Sequence, residues 1–224
     1  MTAEAVLATL KALGKPQTAA IYKRHGSGDD VFGVLTSELQ KLKKKLKVNH
    51  PLAMELWSTG NAEARILALL IADPAKISRA DAETLIQAGP VRFLGSYLAD
   101  FFARSPLVDT LMWDWMTSKD EFPRELAYYI LGARLRGDAK SISDEHATKI
   151  LAEIEQQLHQ SPNWVRYAMN GAVIAIGVFK PALRAEAIAA AKRIGKVKVD
   201  HGLTNCKTPD AAAYIEKASQ RKRR

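Results

Sequence analysis

Nine prolines punctuate this chain, at positions 16, 51, 74, 90, 106, 123, 162, 181 and 209, and none falls in the middle of a strongly apolar-periodic segment. Proline lacks the amide proton of a helical hydrogen bond and its ring collides with the preceding turn, so an α-helix accepts it readily only in its first turn. A chain punctuated in this way can be helical almost throughout, provided that each proline marks a start. Ser105-Pro106, Ser161-Pro162 and Thr208-Pro209 fit that condition. Each sets a hydroxyl, able to accept from a free amide, ahead of a ring with φ already fixed.

The apolar spacing agrees. After Ser143, Asp144 and Glu145 come Ala147, Ile150, Leu151, Ile154 and Leu158, one buried helical face behind an acidic first turn. Val6, Leu7, Leu10 and Leu13 repeat the pattern, with Gly14 as a stop. The spacing predicts helices near 3–13, 16–25, 36–47, 51–59, 62–72, 78–88, 92–104, 106–118, 121–135, 143–160, 162–178, 181–195 and 208–219. Connections this short make neighbours antiparallel. The expected fold is therefore all-α, a HEAT-like helical-repeat solenoid of antiparallel helix pairs, although no clean fixed period is visible. One such domain is expected over 1–219, with a basic C-terminal tail over 220–224. The segment 167–179 is ambiguous, because Asn170-Gly171 is a hairpin dipeptide inside an apolar run. The run is long for a strand and follows a proline start, so a buried helix is expected. Gly171 and Gly177 would then permit close helix contact or the approach of something else.

Charge narrows the partners. The formal net charge is +9 and the pI about 9.6, which favours an anionic partner such as nucleic acid, an acidic protein or a lipid surface. Lys41, Lys43, Lys44, Lys45 and Lys47 crowd one helix, and Arg221, Lys222, Arg223 and Arg224 crowd the tail. Either run could equally be a solvated, solubilising surface. Cys206 is the only cysteine, so intrachain disulfides and cysteine-based zinc sites are excluded, a pattern suited to a reducing cytoplasm. Met1 to Ala12 does not read as a signal peptide, and the longest apolar stretches, 66–72 and 172–179, are too short to span a membrane. His25, His50, His146 and His159 have no metal-ligand spacing. No HExxH, Walker A or dinucleotide fingerprint occurs.

Three segments together resemble the AlkD-like DNA alkylation-repair family of HEAT-like repeat DNA glycosylases. They are Phe32-Gly33-Val34 with Leu39 and the lysine run; Glu55-Leu56-Trp57-Ser58-Thr59-Gly60 through Glu63-Ala64-Arg65 to Ile71-Ala72-Asp73-Pro74; and Tyr167-Ala168-Met169-Asn170 through Ile176-Gly177 to Val199-Asp200-His201-Gly202 and Cys206-Lys207-Thr208-Pro209-Asp210. The resemblance spans nearly the whole chain. It implies a concave basic groove cradling duplex DNA and, in active members, excision of 3-methyladenine and 7-methylguanine without a metal or cofactor. Tryptophans contact the lesion-bearing backbone, an aspartate supports glycosidic cleavage, and an arginine holds phosphate. The arginine aligns with Arg124. The tryptophan-rich segment ending in the aspartate falls on Gly89-Pro90-Val91-Arg92-Phe93-Leu94, with Arg92 nearest the aspartate position, and a later tryptophan falls near Gly171. Cleavage builds positive charge on the sugar, which a carboxylate stabilises and an arginine opposes. Asp100, Asp109 and Asp114 are the nearest substitutes in sequence.

The candidate DNA-binding residues are thus Arg124, Arg92, Arg166, Trp115, Lys43, Lys44 and Lys180. Arg124 is the most pointed, because a cation in the first turn of a helix is electrostatically disfavoured and calls for an anion: phosphate, or a neighbouring carboxylate. Arg134 and Arg136 close a helix, where positive charge is favourable anyway. Trp57 and Trp113 read as core, whereas Trp115 and Trp164 could also stack on bases or sugars. Arg166 and Lys180 flank the apolar run and could line a groove or sit on its rim. His201, beside Asp200 and near Lys207, reads as part of a closing loop, with anion binding as its alternative. The leading reading is a monomeric DNA-binding protein of damaged or distorted DNA with reduced or altered glycosylase activity, protein partners left open. The alternatives are an active alkylpurine glycosylase and a protein-interaction scaffold.

Overall fold

The computed structural model describes residues 1–88 and 92–221. Among them are thirteen α-helices and no strand: α1 Ala3–Leu13, α2 Pro16–Arg24, α3 Thr36–Leu46, α4 His50–Ser58, α5 Ala62–Ile71, α6 Arg79–Gln87, α7 Gly95–Phe102, α8 Val108–Met116, α9 Glu121–Gly137, α10 Asp144–Gln157, α11 Asn163–Phe179, α12 Arg184–Ile194 and α13 Ala211–Arg221. Single 3₁₀ turns precede α7 and α12 and follow α10. The ambiguous segment is helical, within α11. Gly89, Pro90 and Val91 of the aligned tryptophan segment, and Lys222, Arg223 and Arg224 of the tail, lie outside the described residues.

Some helix starts differ from expectation. Ser143 caps α10, accepting from the His146 amide at 3.1 Å. The three hydroxyl-proline pairs do not cap the following helix. Ser105 Oγ accepts from Leu107 and α8 begins only at Val108. Ser161 Oγ donates back to Gln157 O at 2.8 Å. Thr208 is bonded to His201, and Asp210 Oδ1 caps α13 from the Ala213 amide. In each pair the proline lies ahead of the first helical residue rather than in it. Gly14 ends α1, but with φ −64°; it is glycine because a Cβ would lie 2.4 Å from Phe32 O.

The chain forms two compact units. The first comprises Met1–Leu107 with Gly202–Thr204, and the second Val108–His201 with Asn205–Arg224. In the first, Leu39, Leu56, Ile66, Leu67, Ile71, Phe101 and Phe102 form a fully buried core around α5. The aligned Glu63 is structural. Its carboxylate is buried and accepts the amides of Phe32, Gly33 and Val34 at 2.6–3.1 Å, fixing the loop into α3. Gly33 must be glycine there, with φ +84° and a Cβ position 2.2 Å from Lys15 O.

In the second unit α9 and α11 lie side by side and parallel. Glu121 Oε1, at the start of α9, accepts the Trp164 amide at the start of α11, and Gly132 lies opposite Ala175; both pairs are 43 residues apart. The same relation carries on to α13: Asn170 Nδ2 donates to Pro209 O at 3.0 Å, and Gly177 meets Ile215. Parallel helices about forty residues apart, each separated by an intervening helix, are the organisation of a HEAT-like repeat. Leu126, Ile130, Val165, Met169, Val173, Ile176, Ile154, Ala187 and Ile215 fill the space between them.

Candidate nucleic-acid interface

Arg124 is the fourth residue of α9, close to the positive end of the helix dipole. Its Nη2 donates to Gln157 Oε1 of α10 at 2.7 Å. Its Nε is shielded from solvent and has no hydrogen-bond partner, and among the described residues no carboxylate forms an ion pair with it. Burial pushes the neighbouring Tyr128 phenol up, an effect that the Arg124 charge and hydrogen bond partly offset. The guanidinium thus stands half-buried, hydrogen-bonded to neutral side chains and in no ion pair among the described residues.

Arg166 repeats this arrangement one helix along. It is the fourth residue of α11, half-buried, with Nε shielded and unpartnered and Nη2 3.5 Å from Asn163 Oδ1. It lines a cavity of about 660 Å³ with Asn163, Lys196, Lys198, His201, Cys206 and Lys207 among its walls. Asn163 holds the wall in place by a reciprocal pair of bonds, Nδ2 to Asp200 O at 2.9 Å and Oδ1 from the Asp200 amide at 2.8 Å. His201 Nε2 and Thr208 Oγ1 are hydrogen-bonded at 2.9 Å. Behind His201, the rings of Trp164 and Tyr167 meet it edge-on at 5.8 and 5.4 Å. Burial, and then the Cys206 thiol, push the Tyr167 phenol up.

Two expected binding residues belong to the core instead. Trp115 is 5% exposed, so it has no free face on which a base could stack. Lys180 is 6% exposed, and its ammonium group donates to Ala139 O at 3.0 Å and Ile142 O at 2.7 Å and pairs with Asp144 at 2.7 Å. It clamps the turn between α9 and α10. Lys43 and Lys44 are exposed on α3, in the first unit, and the lysine run does wrap that helix. Arg92 opens the 3₁₀ turn before α7 and is half-buried. Trp57 is core, under the Arg65 guanidinium, whereas Trp113 is half-buried against the His146 ring. Of the substitute carboxylates, Asp109 is paired with Arg134. Nothing lies within 4 Å of where a Gly171 Cβ would stand, and the residue is exposed.

The sequence reading singled out His201 and Lys207 in this loop but passed over Lys196 and Lys198. Their signal was present in Lys196-Val197-Lys198-Val199, an alternation that puts cations on one side of an extended segment. Val197 is buried while Lys196 and Lys198 are exposed. It also passed over Glu125, next to Arg124, which is fully buried and accepts from Tyr129 Oη at 3.0 Å.

Comparison with known proteins accords with this architecture. The sequence profile of the family described as DNA alkylation repair enzyme matches residues 6–215. Two uncharacterized proteins, of Listeria innocua and Listeria monocytogenes, are each 32% identical over 222 residues, covering 95% of this chain and 95% of the relative. A solved structure from a new family of proteins related to the HEAT-like repeat DNA glycosylases, with affinity for branched DNA structures, superposes with a TM-score of 0.93 at 28% identity, covering 100% of this chain and 96% of the other.

Proposed function

The chain belongs to the DNA alkylation repair enzyme family, and on that premise we propose that it is a DNA-binding HEAT-like repeat protein that grips the phosphate backbone, with glycosylase chemistry reduced or altered. Arg124 is the observation that carries this reading. A guanidinium at the positive end of a helix, half-buried and offered only the neutral Gln157, is short of an anion. Phosphate matches its planar donor fork. Arg166 supports the reading from the equivalent place on the parallel neighbour. Branched or otherwise distorted DNA is the preferred class, since phosphate contacts read backbone shape rather than base sequence, and the solved relative carries affinity for branched DNA. The altered chemistry follows from Arg92 and Gly171, which stand where the resemblance expects a carboxylate and a tryptophan.

Fluorescence anisotropy with duplex, mismatched and four-way-junction DNA across a salt series tests the proposal. Binding weakens as salt rises, with each duplex phosphate contact adding about 0.9 to the log–log slope. Arg124→Gln lowers affinity several-fold and the slope by roughly one contact, whereas Arg124→Lys recovers part of both. Absence of salt-dependent binding to all three DNAs at micromolar protein overturns the proposal.

A further inference from the structure

We propose that the cleft walled by Asn163, Arg166, Lys196, Lys198, His201 and Lys207 is a second nucleic-acid site that takes one nucleotide of an unpaired DNA strand, its phosphate among the four cations. The inference rests on the DNA-binding reading above and adds which part of a branched DNA the protein engages and where.

The charges are the first argument. Among the described residues of the second unit, Lys149, Lys192 and Arg193 have carboxylate partners in Glu145, Glu216 and Glu155, while the exposed Lys119, Lys140 and Lys217 stand singly without one. The four cations of the cleft have none, although Asp200 stands in the same wall. Four like charges gathered around one cavity repel one another, and an anion in their midst removes that repulsion. Arg166 stands among them poorly satisfied by the protein, its Nε shielded and unpartnered and its Nη2 donor 3.5 Å from Asn163 Oδ1. Such a donor costs free energy until something accepts from it.

Size and shape are the second. A cavity of about 660 Å³ is large for a lone phosphate and falls within the range of small-ligand sites. It has room for a nucleotide. The cleft is open to solvent on one side, and a base-paired nucleotide offers it only a phosphate, because its base is held in the stack. An unpaired one offers its base as well. The wall is set in advance, since the Asn163 pair with Asp200 and the His201 bond to Thr208 fix its backbone. The His201 ring is packed edge-on against Trp164 and Tyr167, which stiffens that side of the cleft.

Cys206 supplies the test, because it lines the cleft, is exposed and is the chain's only cysteine. The rate of its alkylation by N-ethylmaleimide is measured with and without oligothymidylate, blunt duplex of equal length, and thymidine monophosphate, while anisotropy records binding of each DNA. Oligothymidylate at saturation slows alkylation at least fivefold, and blunt duplex at saturation does not. In Arg166→Gln/Lys198→Gln/Lys207→Gln, with helical circular dichroism unchanged, the protection is lost. Bound oligothymidylate that leaves the rate unchanged overturns the cleft while leaving the DNA-binding reading intact. Equal protection by duplex overturns the unpaired strand, and equal protection by the mononucleotide at the same concentration of phosphate replaces the strand by a free nucleotide. No anisotropy change with any DNA, junction included, overturns both readings together.

Discussion

Three cations of the second unit look alike in sequence and differ in what surrounds them. Lys180 is the most buried and the best satisfied, with two carbonyls and Asp144 around one ammonium group. Arg124 and Arg166 are half-buried and short of acceptors. The contrast separates a side chain satisfied within the fold from two whose donors the protein leaves partly unused, and it gives Lys180→Met a definite outcome. The methionine fills the space of the stem but leaves the Ala139 and Ile142 carbonyls unmatched, at about 1–3 kcal/mol for such buried groups. Urea denaturation should show that loss while DNA affinity and its salt slope stay as in the parent. The sequence could not sort these residues. Lys180 flanks an apolar run and so read as a groove charge; its partners lie about forty positions away and become visible only when α9 and α10 are folded against it. Arg124 was legible because the helix dipole makes its position anomalous without knowledge of any neighbour.

At the scale of helices, apolar periodicity and proline placement foretold nearly every element, because both act through bonds and contacts within one segment. Caps were read less well. Ser105, Ser161 and Thr208 each bond to something other than the expected amide, since a hydroxyl has several acceptors and donors within reach and local sequence does not choose among them. The repeat itself was hidden. Its offset of about forty residues shows in what pairs with what, Glu121 with Trp164 and Gly132 with Ala175, and these are unlike residues that no self-comparison of the sequence would align. The two glycines of α11 make the packing of this stack testable. A Cβ on Gly177 would lie 2.6 Å from Ile215 Cδ1 and 2.9 Å from its Cγ1 and Cγ2, and Ile215 is fully buried. Overpacking of that kind costs about 1–3 kcal/mol, against a gain of about 1 kcal/mol from helix propensity. Gly171 meets nothing. Thermal denaturation should therefore show Gly177→Ala less stable than the parent and Gly171→Ala more stable, by about 1 kcal/mol for the latter.

For the whole molecule, a net charge of +9 sets the long-range attraction to an anionic polymer, but it does not decide what happens after encounter. Chemistry at a glycosidic bond needs negative charge beside the sugar, and the sequence places Arg92 nearest the position where that charge is expected. Under single-turnover conditions, release of 7-methylguanine from alkylated DNA is expected to stay at the rate of spontaneous depurination, even with the DNA fully bound. Release well above that rate would show that another carboxylate serves. Fold and family were legible because they are distributed over the whole chain. The cleft was not, because its cations are drawn from α11 and from a loop thirty to forty residues later.

The parallel stack of α9, α11 and α13 has a last member. α13 rests mainly on α11 and α12, tied by Asn170 at its entry and by Ile215 against Gly177. In a stack, each layer borrows stability from its neighbours. The cleft's wall from Lys196 to His201 and from Cys206 to Thr208 is the connection by which α13 hangs. A strand that settles among the cations of the proposed cleft therefore also holds the segment from which α13 starts.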